Sequence, residues 1–162
     1  RQRYSGVADW DYITEVVDSV DTPVIANGDV VDAKTAKACL SQTNAAGLMV
    51  GRGAIGRPAV FGEIKVGLGW MEREDLPWIA AHDGNWDDLD YVAQQFATRR
   101  WCWNRYIELA RETTGLNLKS MRGHAVSFTK GLPSAKKIRN IMHGKQSREE
   151  FAQATSEFLA SN

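Results

Sequence analysis

The sequence predicts an α/β segment built on a buried parallel sheet, followed by an all-helical domain. Two observations carry the α/β half: the short apolar runs Val24-Ile25-Ala26 and Gly47-Leu48-Met49-Val50, and the helical spacing of apolar residues on either side of each. Strands that are apolar throughout and alternate with helices mark parallel pairing, because the crossover helices cover both faces of the sheet. A third observation separates the halves: after Glu63 no stretch reads convincingly as a strand.

Taken in order, Trp10, Ile13, Val16, Val17 and Val20 recur at helical spacing behind Asp9, a suitable N-cap. Asp21-Thr22-Pro23 breaks that helix, and the first apolar run then ends at Asn27-Gly28-Asp29. A second helix opens at Asp32 with Ala33, Ala36, Cys39 and Leu40 on one side, and the second run ends at Gly51-Arg52-Gly53. Pro58 reads as the first position of the next helix. Residues 65–86 form a connector rich in glycine, proline and acids, with Trp70, Trp78 and Trp86 spaced through it. A long helix is expected from Asp87 to about Arg111, and shorter ones over 118–130, 134–143 and 147–160. Gly115, Gly131-Leu132-Pro133 and Gly144 punctuate them as stops.

Composition excludes several classes. With 43% hydrophobic and 25% charged residues in 162, the chain is neither collagen-like, disulfide-stapled nor disordered. Its formal net charge is zero, but the distribution is uneven. Seven acids stand against the single base Arg73 between Met71 and Asp90, and seven bases stand without an acid between Lys119 and Lys145. The basic tract can attract phosphate or serve simply as a solvated helix face. Cys39 and Cys102 lack metal or redox spacing and read as buried packing residues, so no metal is expected. No apolar run is long enough to cross a membrane, and a cytoplasmic location is expected.

The chemistry lies at the strand ends. In parallel α/β folds ligands collect at the C-terminal edge of the sheet, where loops and helix N-termini converge. Glycines 28, 51 and 53 let backbone amides approach an anion, and Arg52 adds a planar fork of donors suited to phosphate oxygens. Asn-Gly after an apolar run is also a hairpin signal, but Val30 to Leu40 has helical rather than alternating spacing. Two consecutive strand ends of this kind point to phosphate without identifying a substrate.

Arg1-Gln2-Arg3-Tyr4-Ser5-Gly6, Ala8-Asp9-Trp10, Pro23 to Asp29 and Val50 to Pro58 together closely resemble the tRNA-dihydrouridine synthase family. Met121-Arg122-Gly123-His124 and Lys130 to Ala135 resemble the helical domain of its bacterial members. The resemblance implies the C-terminal part of a TIM (β/α)8 barrel (residues 1–64), the connector, and a helical tRNA-binding domain (87–162). It implies FMN and NADPH as cofactors and reduction of a uracil C5=C6 bond in tRNA, with a cysteine protonating C5. By motif, Asn27, Gly28, Asp29, Gly51 and Arg52 would contact FMN, chiefly at its phosphate end. Arg1, Arg3, Arg122, His124, Lys130, Lys136, Lys137 and Arg139 would face the RNA.

The family's Asn-x-Gly-Cys loop does not occur here, and the chain begins at Arg1 rather than Met. It therefore reads as part of a longer enzyme whose N-terminal half of the barrel is the missing partner. Two strands cannot close a barrel, so these residues alone are expected to bind FMN weakly and to be inactive. Two alternatives stay open at this point: another FMN barrel, such as a dihydroorotate dehydrogenase-like enzyme, and a non-catalytic RNA-binding or assembly module.

Overall fold

β1 (Ile25–Asn27) and β2 (Gly47–Met49) pair in parallel, with Ile25 opposite Gly47, Ala26 opposite Leu48 and Asn27 opposite Met49. They belong to a computed structural model that describes residues 6–136, 140, 144 and 147–161. The described residues divide into two compact units. The first runs to Ala54 and resumes over Val60–Glu72; the second holds Ile55–Ala59 and the residues from Arg73 onward.

In the α/β unit, α1 (Trp10–Ser19) leads into β1, α2 (Ala33–Thr43) crosses to β2, and α3 (Val60–Gly67) follows. The local starts are those the sequence dictates. Asp9 accepts from the Tyr12 amide at 3.0 Å, and Asp32 and Thr35 form a reciprocal capping box over α2. α2 ends where Asn44 takes a left-handed conformation, φ 52°.

The core is made of small residues: Ala26, Val30, Ala36, Cys39, Val60 and Ile64, flanked by Trp10, Ile13 and Leu48. Burying Val60 and Ile64 contributes about 1.5–3 kcal/mol each. The alternation along β1 is decisive: Ala26 is 1% exposed whereas Ile25 is 57% exposed, and Met49 on β2 is 53% exposed. Within this chain helices therefore cover one face of the two-stranded sheet and leave Ile25 and Met49 exposed. The parallel pairing with an intervening helix also removes the hairpin reading of Asn27-Gly28. Pro58 lies in a turn and α3 starts only at Val60, so proline is not its first helical residue.

The helical unit contains α4 (Pro77–Ala80), α5 (Tyr91–Glu112), α6 (Leu118–Thr129) and α7 (Arg148–Ala160). The long helix begins at Tyr91 and not at Asp87, because Asp90 caps it by accepting from the Ala93 amide at 2.8 Å. Trp86–Asp88 form a separate 3-10 turn ahead of it. Trp103 anchors the interior: it is 0% exposed. Its indole N–H donates to the Ala152 carbonyl at 3.3 Å, and its ring meets Phe128 edge-on at 5.6 Å. Arg99 donates to the carbonyls of Phe128 and Lys130 at 3.0 and 2.6 Å, a cation closing the C-terminal end of α6. Trp78 and Trp86 of the acid-rich stretch are buried in this unit, while Trp70 is exposed. The helix expected over 134–143 falls mostly outside the described residues.

Among the described residues no helix is long and apolar enough to cross a membrane. No group of three or more His, Cys, Asp or Glu side chains among them could hold a metal ion.

Candidate functional site

The turns after β1 and β2 meet at the C-terminal edge of the sheet. Gly28 has φ 129° and lies so close to Ala8 that an added Cβ would fall 2.4 Å from the alanine methyl. Its carbonyl accepts from the Trp10 indole at 3.0 Å. Asp29 follows in the left-handed region at φ 53°, an arrangement that aspartate tolerates better than most residues. This backbone reversal aims the carboxylate in two directions. One oxygen accepts from the Ala8 amide at 2.6 Å, and the other accepts from Arg52 Nη2 at 3.0 Å.

Two further contacts fix the turns to each other. The Asn27 amide donates to the Met49 carbonyl at 2.9 Å. Gly53 lies against Val30 and Val31, where a Cβ would stand 2.8 Å from the Val30 carbonyl oxygen and 2.9 Å from the Val31 Cα. Gly51, by contrast, has nothing within 4 Å of where its Cβ would be. A cleft of about 560 Å³ opens between the turns, lined by Asn27, Gly28, Asp29, Gly51, Arg52 and their neighbours. All five cofactor-site residues expected from the sequence thus line one cleft. The Arg52 and Asp29 side chains are 58% and 33% exposed, so their ion pair is worth only about 0–1 kcal/mol and acts mainly as an orienting contact.

The basic residues fall in the other unit. Arg122 and His124 are exposed on α6, Lys130 is exposed at its end, and Lys136 is exposed beyond it. The His124 ring meets Tyr106 edge-on at 5.0 Å, and burial pushes the Tyr106 hydroxyl above its ordinary pKa. Arg1, Arg3, Lys137 and Arg139 lie outside the described residues. Both cysteines are buried and free. Burial raises the Cys39 thiol, opposed in part by its contact with Thr43, which leaves it an inert packing residue.

A second cleft, of about 480 Å³, lies beside α5 in the helical unit, and Trp78, Arg100, Trp101 and Arg105 are among its walls. The sequence reading missed it. The signal was available: Arg99-Arg100-Trp101 with Arg105 one turn on concentrates cations and an aromatic ring on one helix.

A family model for dihydrouridine synthase matches residues 1–162. A probable tRNA-dihydrouridine synthase of Rickettsia conorii is 34% identical over 142 residues, 88% of this chain and 38% of that protein. One of Mycobacterium leprae is 47% identical over 142 residues, covering 87% and 33%. One of Synechocystis is 30% identical over 139 residues, covering 85% and 34%. The chain thus spans between a third and two-fifths of the length of these relatives. The same residues that form the strand-end cleft lie within that match, and the chain belongs to the dihydrouridine synthase family.

Proposed function

We propose that this chain supplies the FMN-phosphate grip and part of the tRNA-binding surface of a tRNA-dihydrouridine synthase, the C-terminal part of its (β/α)8 barrel followed by its helical domain. The observation that carries the reading is the Gly-rich, Arg-bearing cleft where two parallel strand ends meet. The fit to a phosphate-ended cofactor rests on two features. Space stands open over Gly51, where a side chain would otherwise intrude. Arg52 is more than half exposed while anchored at one end by Asp29. A carboxylate would repel phosphate, so Asp29 acts as a positioning residue that holds Arg52 rather than as a direct phosphate contact.

In this reading Gly28, Gly51 and Arg52 bind the phosphoryl group, and Asn27 braces the two strand ends through Met49. FMN, when bound and reduced by NADPH, supplies the hydride for the uracil C5=C6 bond. The proton for C5 comes from a cysteine that neither Cys39 nor Cys102 provides, since both are buried. Arg122, Lys130 and Lys136 offer exposed positive charge for tRNA phosphates in a cytoplasmic enzyme, and His124 stands exposed on the same helix as Arg122. Family membership favours this reading over a dihydroorotate dehydrogenase-like enzyme. These 162 residues by themselves bind FMN weakly and do not oxidise NADPH in this reading.

Weak binding is still readable by titration of the isotope-labelled chain followed by NMR. FMN is expected to shift the amide resonances of Gly28, Gly51 and Arg52 before any others, riboflavin is expected to leave them in place, and Arg52→Ala is expected to abolish the difference. Equal responses to FMN and riboflavin would remove the phosphate site.

A further inference from the structure

The cleft beside α5 is not used by the reading above. It is lined by Trp78, His82, Arg100, Trp101, Arg105 and Glu108, among others, and its volume of about 480 Å³ falls in the range that holds small organic ligands. α5 carries it on the side turned away from its packed stripe. Phe96, Trp103, Ile107 and Ala110 are buried, whereas Arg100, Asn104, Arg105 and Glu108 recur at helical spacing on the exposed side. Trp78 is 8% exposed, so its ring forms the floor, and half-buried Trp101 is the ring that solvent reaches. The two centroids are 6.2 Å apart with the planes 59° from parallel, so the rings are not stacked on one another.

The charges distinguish what could enter. Arg100 is exposed and makes no hydrogen bond or ion pair among the described residues. Arg105 is paired to Glu108 at 3.1 Å, the single acid in the lining. In the acid-rich stretch that supplies Trp78 and His82, Asp87 is held by Arg73 at 2.6 Å, and exposed Asp83 follows His82 without being part of the lining. The lining therefore carries more positive than negative charge. An accessible indole beside an unpaired guanidinium is the arrangement that takes a flat base against a ring and its phosphate on a cation. We infer that this cleft binds an unstacked nucleobase of single-stranded RNA, with Trp101 against the base and Arg100 on the adjoining phosphate. The inference deepens the tRNA reading by adding a contact outside the basic face of α6.

The test is binding of a hexauridylate oligonucleotide to the whole chain at low salt, read by tryptophan quenching and anisotropy. Trp101→Ala is expected to weaken binding about five- to hundredfold. Trp101→Phe, which keeps an aromatic ring in the wall of the cleft, is expected to recover most of that loss, separating stacking from folding. Arg100→Ala, at a surface position, is expected to weaken binding about fivefold and to lower its salt dependence. Glu108→Gln releases Arg105 and is expected to tighten binding up to about fivefold.

Unchanged affinity in Arg100→Ala and Trp101→Ala would overturn the inference, as would loss confined to Arg122→Ala and Lys130→Ala. Tighter binding of oligolysine than of hexauridylate would also overturn it. If FMN still shifts Gly51 while Arg100→Ala leaves hexauridylate binding alone, this site fails and the cofactor reading stands. The reverse pattern rejects the cofactor reading and keeps this one.

Discussion

The strand-end turns of the α/β unit and the α5 cleft of the helical unit are built from different material. At the turns, backbone defines the shape: Gly28 at φ 129°, Asp29 at φ 53° and Gly53 against the Val30 carbonyl. At α5, side chains form the walls, and the helix backbone behind them is regular from Tyr91 to Glu112. A backbone-shaped site fails when atoms are added to it. A side-chain-walled site fails when atoms are removed. Each unit can therefore be broken by the kind of substitution that the other tolerates.

The largest expected effect is a removal. Among the described residues the five largest side chains under 2% exposed, Trp103, Phe96, Phe151, Met121 and Leu159, all lie in the helical unit, and the largest such side chain of the α/β unit is Val60. Trp103→Ala should cost about 3–5 kcal/mol, whereas Val60→Ala removes about 1.6 kcal/mol of transfer free energy before any cavity term. Urea titration monitored by amide exchange checks this, with protection of α5 and α7 lost first in Trp103→Ala and protection of α2 retained. Equal costs for the two variants would break the contrast between the units.

The next effect is an addition. Gly53→Ala places a methyl 2.8 Å from a backbone oxygen and 2.9 Å from a backbone carbon, neither of which can swing aside. The expected cost is about 1–3 kcal/mol, accompanied by loss of the FMN-induced shifts. Gly51→Ala meets nothing within 4 Å, so its stability should change by less than about 0.5 kcal/mol. Its FMN response should nevertheless fall, because the methyl occupies the space proposed for phosphate. Thermal denaturation beside the NMR titration separates the two. A Gly51→Ala chain that keeps its full FMN response would sharpen the contrast against the cofactor, leaving Gly51 a turn residue only.

That same difference in material explains what was legible in the sequence. Asn27-Gly28-Asp29 and Gly51-Arg52-Gly53 announce themselves because a reversal after an apolar strand demands glycine locally, and because parallel strands bring consecutive ends together. The caps at Asp9 and Asp32 were readable for the same local reason. The one-sided burial of the sheet was not, since Ile25 and Ala26 are both apolar and only the covering elements tell them apart. Nor was the α5 cleft, where Trp78 reaches Trp101 across a sequence separation that includes a turn and a cap. Four of the eight expected RNA-facing residues, Arg122, His124, Lys130 and Lys136, proved exposed, which charge patterning alone could not distinguish from a solvated face.

The smallest effect concerns charge. Each unit ties one turn with an arginine–aspartate pair, Arg52 to Asp29 and Arg73 to Asp87. The hydrogen bond from Arg73, and then its charge, hold the Asp87 carboxyl below the ordinary carboxylate range. A carboxyl whose folded pKa lies below its unfolded value stabilises the fold above the unfolded value, and that stability drains away as pH falls toward and through the folded one. With both side chains largely in solvent, 44% and 64% exposed, the effect on melting temperature at neutral pH should be barely measurable. The carboxyl titration itself is the sensitive readout. Asp87 should titrate low in the intact chain and return to the ordinary range in Arg73→Gln. An ordinary titration in both proteins would show that this pair is not held in solution, and that the acid-rich stretch owes its order to buried Leu76, Trp78 and Trp86 and to the hydrogen bonds of Asn85 and Gln94.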